Sequence, residues 1–518
     1  MVIVDGNKRR NRMKRNGFFV FLIALSLIFS SCASLSPMHE REVASTLPYE
    51  VPMDECIGLL NPDAEIRGVW IATVGNINFP SKSGLSQKAL KAELDAIVEN
   101  CSELGLNAIF FQVRPAADSL YKSSLFPASE YVSGKQGQMP QGDFDCLQYL
   151  IEIAHKKKIN VHAWINPLRV TYGSAKYPKT DLSSLSENHI ARKNPDWCIP
   201  YADGKLYFDA GIPEVREYIA KGVAEVVENY QVDGVVFDDY FYPYPVSGAE
   251  FDDSASYEKY GSGNLSDWRR DNINSLIRSC FEAVKNSDPD CLFGISPFGI
   301  WQNDDGENGG SKTRGLEAYE SLYCDALSWA KDGYVDYIAP QLYWRFETAV
   351  APYGELSDWW NAALDGTGVK LLISHAAYMY ESWEDPEGEL TGQIEFSRNA
   401  LNYRGSILYG YEAIDKNSAE IRQEISKAFA FDIVYSDYYP TSAELVLTGL
   451  PENGVTKKNR IFLEGSSDPT LSLSYNGQNL NRDKWGDFSL ELKLISGENT
   501  LVFDYGGKEI YYHITKED

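Results

Sequence analysis

The stretch Val232–Pro245, VDGVVFDDYFYPYP, carries the most information about the fold of this chain. Its apolar run Val235–Phe237 is typical of a buried β-strand, and the run ends at two adjacent carboxylates, Asp238 and Asp239. Aromatic residues and prolines follow at once. In parallel barrels the C-terminal ends of the strands form the mouth where active sites lie, so this pattern predicts a barrel strand that carries acids to a ligand cleft. One of the two acids is the better candidate for a structural role, because adjacent strand residues point in opposite directions.

Outward from this stretch, short apolar segments alternate with amphipathic ones. Strands are predicted at Gly68–Val74, Asn107–Val113, Asn160–Asn166, Val232–Asp238, Cys291–Ser296, Val335–Gln341, Lys370–Ala376 and Gly405–Tyr411. Helices are predicted at Ser86–Leu104, Asp143–Lys157, Pro213–Tyr230, Ser266–Asn286, Leu316–Lys331, Glu355–Leu364, Gln393–Asn402 and Ser418–Phe431. Continuous apolar strands that alternate with helices indicate a parallel sheet buried on both faces. Eight such units predict an α/β fold of the (β/α)8 TIM barrel type; a doubly wound open sheet is the alternative, but no glycine-rich dinucleotide turn supports it.

The two ends of the chain differ from this pattern. From about residue 433, short alternating segments are separated by turn residues such as Asn476-Gly477, which predicts a small immunoglobulin-like β-sandwich over residues 433–518. Residues 1–31 have a basic head and the apolar run Phe18–Phe29, as a secretory signal peptide does. Residues 32–63 are predicted to be a tether, which leaves 64–432 for the barrel.

The residues before Cys32 resemble the lipobox of bacterial lipoproteins, with Phe29 where Leu is usual. We therefore expect the Cys32 thiol to be lipidated and to anchor the chain to a membrane; simple secretion with cleavage nearby is the alternative. Ala33–Pro37 lacks the acidic run that follows the lipidated cysteine in some surface lipoproteins, and this favours the periplasmic side of the outer membrane.

The charge and the cysteine and histidine content of the chain limit the classes of molecule and metal that it is expected to bind. The net charge is −26, and removal of six basic residues and Asp5 with the signal peptide makes it −31. This charge disfavours nucleic acid and anionic lipid as electrostatic partners and is compatible with a neutral glycan. The seven cysteines besides Cys32 are scattered, and no CxxC or histidine cluster predicts a metal site. No cofactor is predicted.

Polar and aromatic residues recur where the predicted strands end. The candidate ligand-binding residues at these positions are Arg114, Asp118, Trp164, Asn166, Tyr240, Trp301, Gln341, Tyr343, Trp344 and His375. Aromatic rings stack on the apolar faces of pyranose rings, and amides bind hydroxyl or acetamide groups. The alternative is that the rings only plug the barrel mouth, and His375 fits a core histidine equally well. Basic residues near the mouth, Arg114, Arg269 and Arg270, either bind a substrate carboxylate or neutralise the Asp pair.

Several motifs together resemble the glycosyl-hydrolase-like 10 family. They are RGVWIATV, FFQVRPAADSLYKSSLFPASEY, NVHAWINP, PEVREYI, VDGVVFDDYFYPYP, DWRRDNIN, GISPFGIW and DYIAPQLYW, and they span about Glu65–Ile414. The resemblance implies a barrel glycosidase, often an envelope lipoprotein, that acts on peptidoglycan glycan strands lacking stem peptides. Matching motifs carry function onto Asp238, Asp239, Arg114, Trp164, Asn166, Arg269, Asn272, Gln341 and Tyr343.

The predicted chemistry is hydrolysis of a β-1,4 link between amino sugars, with one Asp of the pair as general acid. The same segment is more weakly similar to the DGxDxDxE signature of family 18 chitinases: Asp233 and Asp238 match, whereas Val236 and Tyr240 replace acids. If the second catalytic acid lies outside the Asp pair, the candidates are Asp118, Asp209 and Glu347. Two other functions are open: a non-catalytic adaptor that binds envelope glycan, and a surface glycosidase acting on another polysaccharide.

Overall fold

The computed structural model describes residues 64–383, 386–415, 419–429, 445–467, 471–480, 482 and 488–517. The chain divides into two compact units at residue 434. The predicted signal peptide, the tether with Cys32 and the predicted boundary at 432–433 lie outside the described residues.

The first unit is a closed barrel of eight parallel strands. These are β1 (Ile66–Ile71), β2 (Ala108–Arg114), β3 (Asn160–Ile165), β4 (Gly234–Phe237), β5 (Leu292–Ile295), β6 (Tyr337–Ile338 and Gln341–Leu342), β7 (Lys370–Ala376) and β8 (Tyr403–Tyr409). Each strand pairs with the next in chain order, and β8 closes the barrel on β1 through the register Ile66 to Gly405. The predicted TIM barrel is confirmed.

One helix of the outer layer follows each strand in chain order. They are α1 (Gln87–Glu103), α2 (Cys146–Lys156), α3 (Pro213–Asn229), α4 (Leu265–Ser287), α5 (Ala326–Lys331), α6 (Tyr353–Ala363), α7 (Glu389–Ser397) and α8 (Ala419–Ala428). Additional short helices lie in the loops at Glu130–Ser133, Ile190–Lys193, Ser254–Tyr260, Ala318–Ser321 and Tyr411–Asp415, with a hairpin of Cys198–Pro200 and Leu206–Phe208. None of the helices among the described residues is long and apolar enough to cross a membrane.

Two helices differ from the prediction. The segment predicted as one helix over Leu316–Lys331 is two, because Tyr323 between them adopts a left-handed φ of 54° that a helix does not accommodate. The helix predicted to start at Gln393 starts at Glu389, directly after Gly388 with φ 80°. Glycine adopts this conformation without a Cβ clash, so the chain turns into the helix earlier than the apolar pattern suggests.

The barrel interior is filled by large side chains. Trp70 packs on Phe110 with ring centroids 4.5 Å apart and on Trp164 at 6.0 Å, and all three are fully buried. On β5 the interior position is Gly294, where an added Cβ would meet the Tyr337 ring at 1.9 Å. The interior is therefore a packed aromatic core, and a ligand can be bound only at the mouth above it.

The second unit consists of β-strands in two sheets. In chain order they are β9 (Val446–Thr448), β10 (Val455–Thr456), β11 (Arg460–Ser466), β12 (Leu473–Tyr475), β13 (Gln478–Asn479), β14 (Phe488–Lys493), β15 (Gly497–Tyr505) and β16 (Lys508–Lys516). One sheet has the order β9-β11-β14 and the other β10-β16-β15-β12-β13. Side chains of both sheets, Leu463 and Phe503 among them, share one core. This is a β-sandwich, and its immunoglobulin-like type stays a prediction.

Candidate active site

Asp238 lies at the C-terminal end of β4 and is fully buried. Its two carboxylate oxygens accept hydrogen bonds from Asn166 Nδ2 at 2.7 and 2.8 Å, and Oδ2 also accepts one from Trp164 Nε1 at 3.2 Å. Both donors come from the end of β3, the neighbouring strand. Burial raises the pKa of Asp238 from 3.8 to about 7, although the nearby Arg169 charge and these N–H donors lower it.

Asp239 is also buried, but its partners differ. The Tyr244 hydroxyl donates a short hydrogen bond to Oδ2, whereas Oδ1 is buried without a hydrogen-bond partner among the described residues. Gln341 lies beside this carboxyl group and donates its amide hydrogen to the Ser296 carbonyl at 3.3 Å. Burial raises the pKa of Asp239 well above its usual value, and the Asp238 charge raises it further.

The Asp pair therefore differs from a structural cap or ion pair. Among the described residues, neither carboxylate caps a helix or forms a salt bridge, and both are held in a poorly solvated position that favours the protonated form. Within this part of the chain, no cluster of His, Cys, Asp and Glu side chains is arranged to hold a metal ion.

Arg169 is a site residue that the sequence analysis missed. Its buried guanidinium donates from Nε and Nη2 to the Pro115 carbonyl at 2.9 and 2.6 Å and lies 5.3 Å from the Tyr240 ring centroid. Its charge lowers the pKa of Asp238, and its backbone N–H donates to Asn166 Oδ1 at 3.0 Å. The sequence feature that could have indicated Arg169 is its position three residues after Asn166, in the loop that follows β3.

Three tyrosines form the opposite side of the mouth. Tyr343 stacks on Tyr409 with centroids 6.0 Å apart, and Tyr378 packs edge-on against both. The hydroxyls of Tyr343 and Tyr409 are buried without a hydrogen-bond partner among the described residues, although Ser374 lies near that of Tyr343. The charge of Asp239 acts on Tyr343, so the cluster adjoins the Asp pair.

Glu412 is a second site residue that the sequence analysis missed. Its Oε2 accepts a hydrogen bond from Asn78 Nδ2 at 2.7 Å. Burial raises the pKa values of Tyr378 and Tyr409, and the Glu412 charge raises them further. It lies in the loop after β8, where the sequence shows one acid among many and gives no specific signal.

Some predicted residues lie away from the pair. The strand register shifts between Gln112 and Arg114, and the Arg114 guanidinium stacks on Phe126 at 4.2 Å beside Gly222 of α3. This shift places Arg114 in the layer between strand and helix. Within the described part of the chain its Nη atoms have no hydrogen-bond partner of normal geometry, although the Tyr121 hydroxyl lies close to the guanidinium.

Arg269 and Asn272 lie on α4 and are engaged in its contacts. Arg269 donates two hydrogen bonds to the buried Asp253 carboxylate, at 2.7 and 2.6 Å, and a third to the Tyr323 hydroxyl at 2.8 Å. Asn272 Oδ1 accepts from Arg216 Nη1 at 3.2 Å. The structure thus pairs Arg269 with Asp253 rather than with the Asp pair.

His375 has both ring nitrogens partnered. Nδ1 lies 3.2 Å from Gln393 Oε1 and Nε2 lies 2.7 Å from Ser406 Oγ, while the ring stacks on Tyr353 of α6. Burial lowers its pKa to about 4, so the imidazole is neutral. This environment is that of a core histidine, the reading that the sequence left equally open.

Two predicted tryptophans lie in the loops after β5 and β6. The half-buried Trp301 stacks on Trp359 at 5.8 Å and donates to Asp325 at 3.3 Å, and Trp344 packs edge-on against Phe298 at 5.6 Å.

The candidates for a second acid are scattered. Asp209 Oδ1 accepts from the Gly211 N–H at 2.8 Å, Glu347 is exposed, and Asp118 lines a separate pocket. Asp233, the other match to the chitinase signature, lies at the start of β4 and binds His155 and the Val161 N–H.

Comparison with known proteins shows the family to which the chain belongs. Residues 65–386 match the Glycosyl hydrolase-like 10 family. The chain is 43% identical over 373 residues to Glycosyl hydrolase YngK of Bacillus subtilis, covering 70% of this chain and 71% of that protein. It is 34% identical over 427 residues to Glycosyl hydrolase DigH of Escherichia coli (strain K12), covering 76% of this chain and 92% of that protein. A solved endo-beta-1,4-mannanase from Thermotoga petrophila aligns with a TM-score of 0.45 at 11% identity, over 89% of this chain and 99% of that chain. The chain belongs to the glycosyl hydrolase-like 10 family and is a glycoside hydrolase.

Proposed function

We propose that this enzyme cleaves β-1,4 links between amino sugars in peptidoglycan glycan strands that lack stem peptides. The observation that carries the proposal is the pair of buried carboxyl groups with raised pKa values at the mouth of an aromatic barrel. Glycosidic bonds are cleaved by such a pair, one member of which delivers a proton to the leaving oxygen.

Asp239 is the better candidate for the general acid. An acid must hold a proton at working pH and have an oxygen available to the substrate. Burial and the Asp238 charge both favour its protonated form, and its Oδ1 has no partner among the described residues. The Tyr244 hydroxyl holds the other oxygen, which leaves Oδ1 to meet the glycosidic oxygen.

Asp238 is suited to act as the charged partner, because at a pKa of about 7 it is partly ionised at neutral pH. Asn166 and Trp164 direct N–H groups at its oxygens, and the nearby Arg169 charge also favours the carboxylate. A carboxylate fixed in this way stabilises the positive charge that develops on the sugar ring in the transition state. It can equally accept a hydrogen bond from an acetamide N–H and orient that group.

The tyrosine cluster supports an amino sugar as substrate. The hydroxyls of Tyr343 and Tyr409 are donors without partners among the described residues, and an acetamide carbonyl is an acceptor that would satisfy one of them. The rings of Tyr343, Tyr378 and Tyr409 offer an apolar surface to a pyranose face.

We also propose that the chain is anchored through a lipid on Cys32, at the periplasmic face of the outer membrane. The basic head and apolar run of residues 1–31 support this proposal. Replacing Cys32→Ser should move the protein from the membrane fraction to the soluble fraction and abolish labelling by a fatty-acid analogue. Continued labelling of this variant would contradict the proposal.

The catalytic proposal is tested by incubating peptide-free peptidoglycan strands with wild type, Asp238→Asn and Asp239→Asn, and identifying released fragments by mass spectrometry. Asp365→Asn, at an exposed position in the loop between α6 and β7, at the end of the barrel opposite to the mouth, is the matched control. We expect fragments with new reducing ends from wild type and control, and none from the pair variants.

Three other results would each change the assignment. Cleavage of intact peptidoglycan at the same rate would remove the requirement for peptide-free strands. Cleavage of a different polysaccharide alone would replace the substrate. Binding of the strands without cleavage by any form would favour the glycan-binding adaptor.

A further inference from the structure

A separate pocket lies between the loops that follow β2 and β3. It has a volume of about 210 Å³, and at roughly 30 Å³ for each water molecule in the liquid it holds the equivalent of about seven waters. This is the size of one sugar ring rather than of a polymer. Its walls combine the rings of Tyr131 and Tyr172 with the polar side chains of Asp118, Gln136 and Lys179.

Asp118 is the unusual group in this pocket. Its side chain is 2% exposed, and its Oδ2 accepts a hydrogen bond from Gln136 Nε2 at 3.1 Å. Its Oδ1 is buried and forms no hydrogen bond of normal geometry among the described residues, although the Ser129 hydroxyl lies near the carboxyl group. Buried carboxylate oxygens are nearly always hydrogen-bonded in native proteins, so an orphaned one that lines a pocket points to a donor on a ligand. Burial raises the pKa of Asp118 to about 6, which leaves it mainly ionised and therefore an acceptor at neutral pH.

The other charged side chains of the pocket have partners of their own, and among them the Asp181 carboxylate accepts two hydrogen bonds from Ser183. Lys179 forms a salt bridge with Glu130, and both side chains are partly exposed at the edge of the pocket. Lys179 forms no ion pair with Asp118 and acts on it only at a distance, by lowering its pKa, so the pocket presents an acceptor together with aromatic surface. This combination fits a neutral saccharide better than an anion.

Arg169 connects the pocket to the catalytic centre. Its guanidinium carbon lies 5.5 Å from the ring centroid of Tyr172, in the pocket wall, and 5.3 Å from that of Tyr240, at the mouth. The pocket is thus next to the Asp pair on the β2–β3 side of the mouth, where a chain bound across the mouth would continue.

We propose that this pocket is a subsite for a further sugar residue of the glycan, in which Asp118 Oδ1 accepts a hydrogen bond from a sugar N–H or O–H group. Tyr172 contacts the apolar face of the same sugar. The inference rests on the proposed function, since it assigns the pocket to the same glycan. It adds a preference for long strands, because a short fragment fills the catalytic centre without reaching the pocket.

The test measures binding of a disaccharide and a hexasaccharide from peptide-free strands by calorimetry, in an Asp239→Asn background that prevents cleavage. Asp118→Asn and Tyr172→Ala are compared with Asp365→Asn, an exposed position between α6 and β7, as control. Loss of a hydrogen bond to a charged group corresponds to roughly a 10- to 100-fold loss of affinity. We expect this loss for the hexasaccharide with both pocket variants and none for the disaccharide.

Equal affinity of the background protein for the two lengths would overturn the inference, as would equal effects of Asp118→Asn on both. Tyr172 is only half-buried, so Tyr172→Ala provides a folded variant even if Asp118→Asn is unstable. Hydrolysis by wild type is scored separately. Cleavage without any preference for length removes only the subsite, whereas binding without cleavage removes the proposed function.

Discussion

Buried polar groups at the barrel mouth and those in the layer between β7 and its neighbouring helices are partnered differently. Around His375, both ring nitrogens have partners, and the Tyr353 hydroxyl binds Ser397 Oγ at 2.6 Å. At the mouth, Asp239 Oδ1 and the hydroxyls of Tyr343 and Tyr409 have none among the described residues. Since an unpaired buried polar group costs roughly 1–3 kcal/mol, the fold tolerates this cost at the mouth, where a ligand would supply the missing partners.

The largest expected effect is that of Asp239→Asn, which should remove activity and leave the stability of the fold unchanged. Asp239→Asn should lower kcat/KM by about 10²- to 10⁴-fold, the usual contribution of a general acid. The folded protein should survive, because the neutral Asn amide resembles the protonated carboxyl group that burial favours at this position. Steady-state kinetics and thermal unfolding of the same preparation check both halves. Loss of folding in parallel with activity would contradict the contrast.

Asp238 should make the free energy of unfolding depend on pH. Its folded pKa is raised from 3.8 to about 7, so the folded state holds a proton that the unfolded chain releases in this range. Its contribution to stability is therefore full below about pH 4 and is lost as the pH rises through 7. Between pH 4 and 8, Asp238→Asn should gain on the order of 2–4 kcal/mol relative to wild type in free energy of unfolding. A difference that does not change with pH would show that Asp238 is not buried in this way.

Replacement of Arg269 tests the second half of the comparison, in which paired buried groups stabilise the fold and do not act on the substrate. Arg269→Met leaves the Asp253 carboxylate buried and unpaired, which typically costs about 3–5 kcal/mol. Urea unfolding should show this loss, whereas kcat of the folded fraction should stay within about twofold. Lys221→Met, which breaks an exposed pair with Glu217, is the control and should change stability by about 0.5 kcal/mol or less. A large loss of kcat in folded Arg269→Met would place it in the site.

Sequence reasoning reached the barrel and the Asp pair for the same reason. Strand order and the side of the barrel that forms the mouth follow from local apolar pattern and chain connectivity, so Asp238, Asp239, Asn166 and Tyr343 were found as strand-end residues. The orientation of Arg114 was not predictable, because it depends on a one-residue register shift between β2 and β3.

Arg169 and Glu412 were missed for a different reason. Both lie in loops beyond the strand ends, where the apolar pattern says nothing about direction. Their positions depend on contacts with distant segments, the Pro115 carbonyl for Arg169 and Asn78 for Glu412. In contrast, Arg269 was assigned to the site by its motif, whereas in the structure its guanidinium binds the Asp253 carboxylate.

Replacement of His375 should have a smaller effect on stability, and it distinguishes a core histidine from a catalytic one. Its folded pKa is lowered from 6.5 to about 4, so the unfolded chain takes up a proton first as the pH falls. The histidine therefore costs stability as the pH falls from about 6.5 to 4. His375→Gln should remove on the order of 1–3 kcal/mol of this acid dependence and leave kcat within about twofold. Loss of kcat by more than tenfold in a folded variant would assign His375 to the reaction.

The smallest expected effects come from two buried tyrosines that differ only in their partners. Tyr353→Phe removes a hydroxyl that binds Ser397 and should cost about 1 kcal/mol in stability with no change in KM. Tyr409→Phe removes a hydroxyl that has no partner among the described residues, so stability should be unchanged or slightly higher, while KM for the glycan should rise by roughly fivefold to tenfold. Thermal unfolding and kinetics of the two variants measure both quantities side by side. If Tyr409→Phe loses stability and keeps KM, its hydroxyl is part of the framework, and the unpaired groups at the mouth do not mark a ligand site.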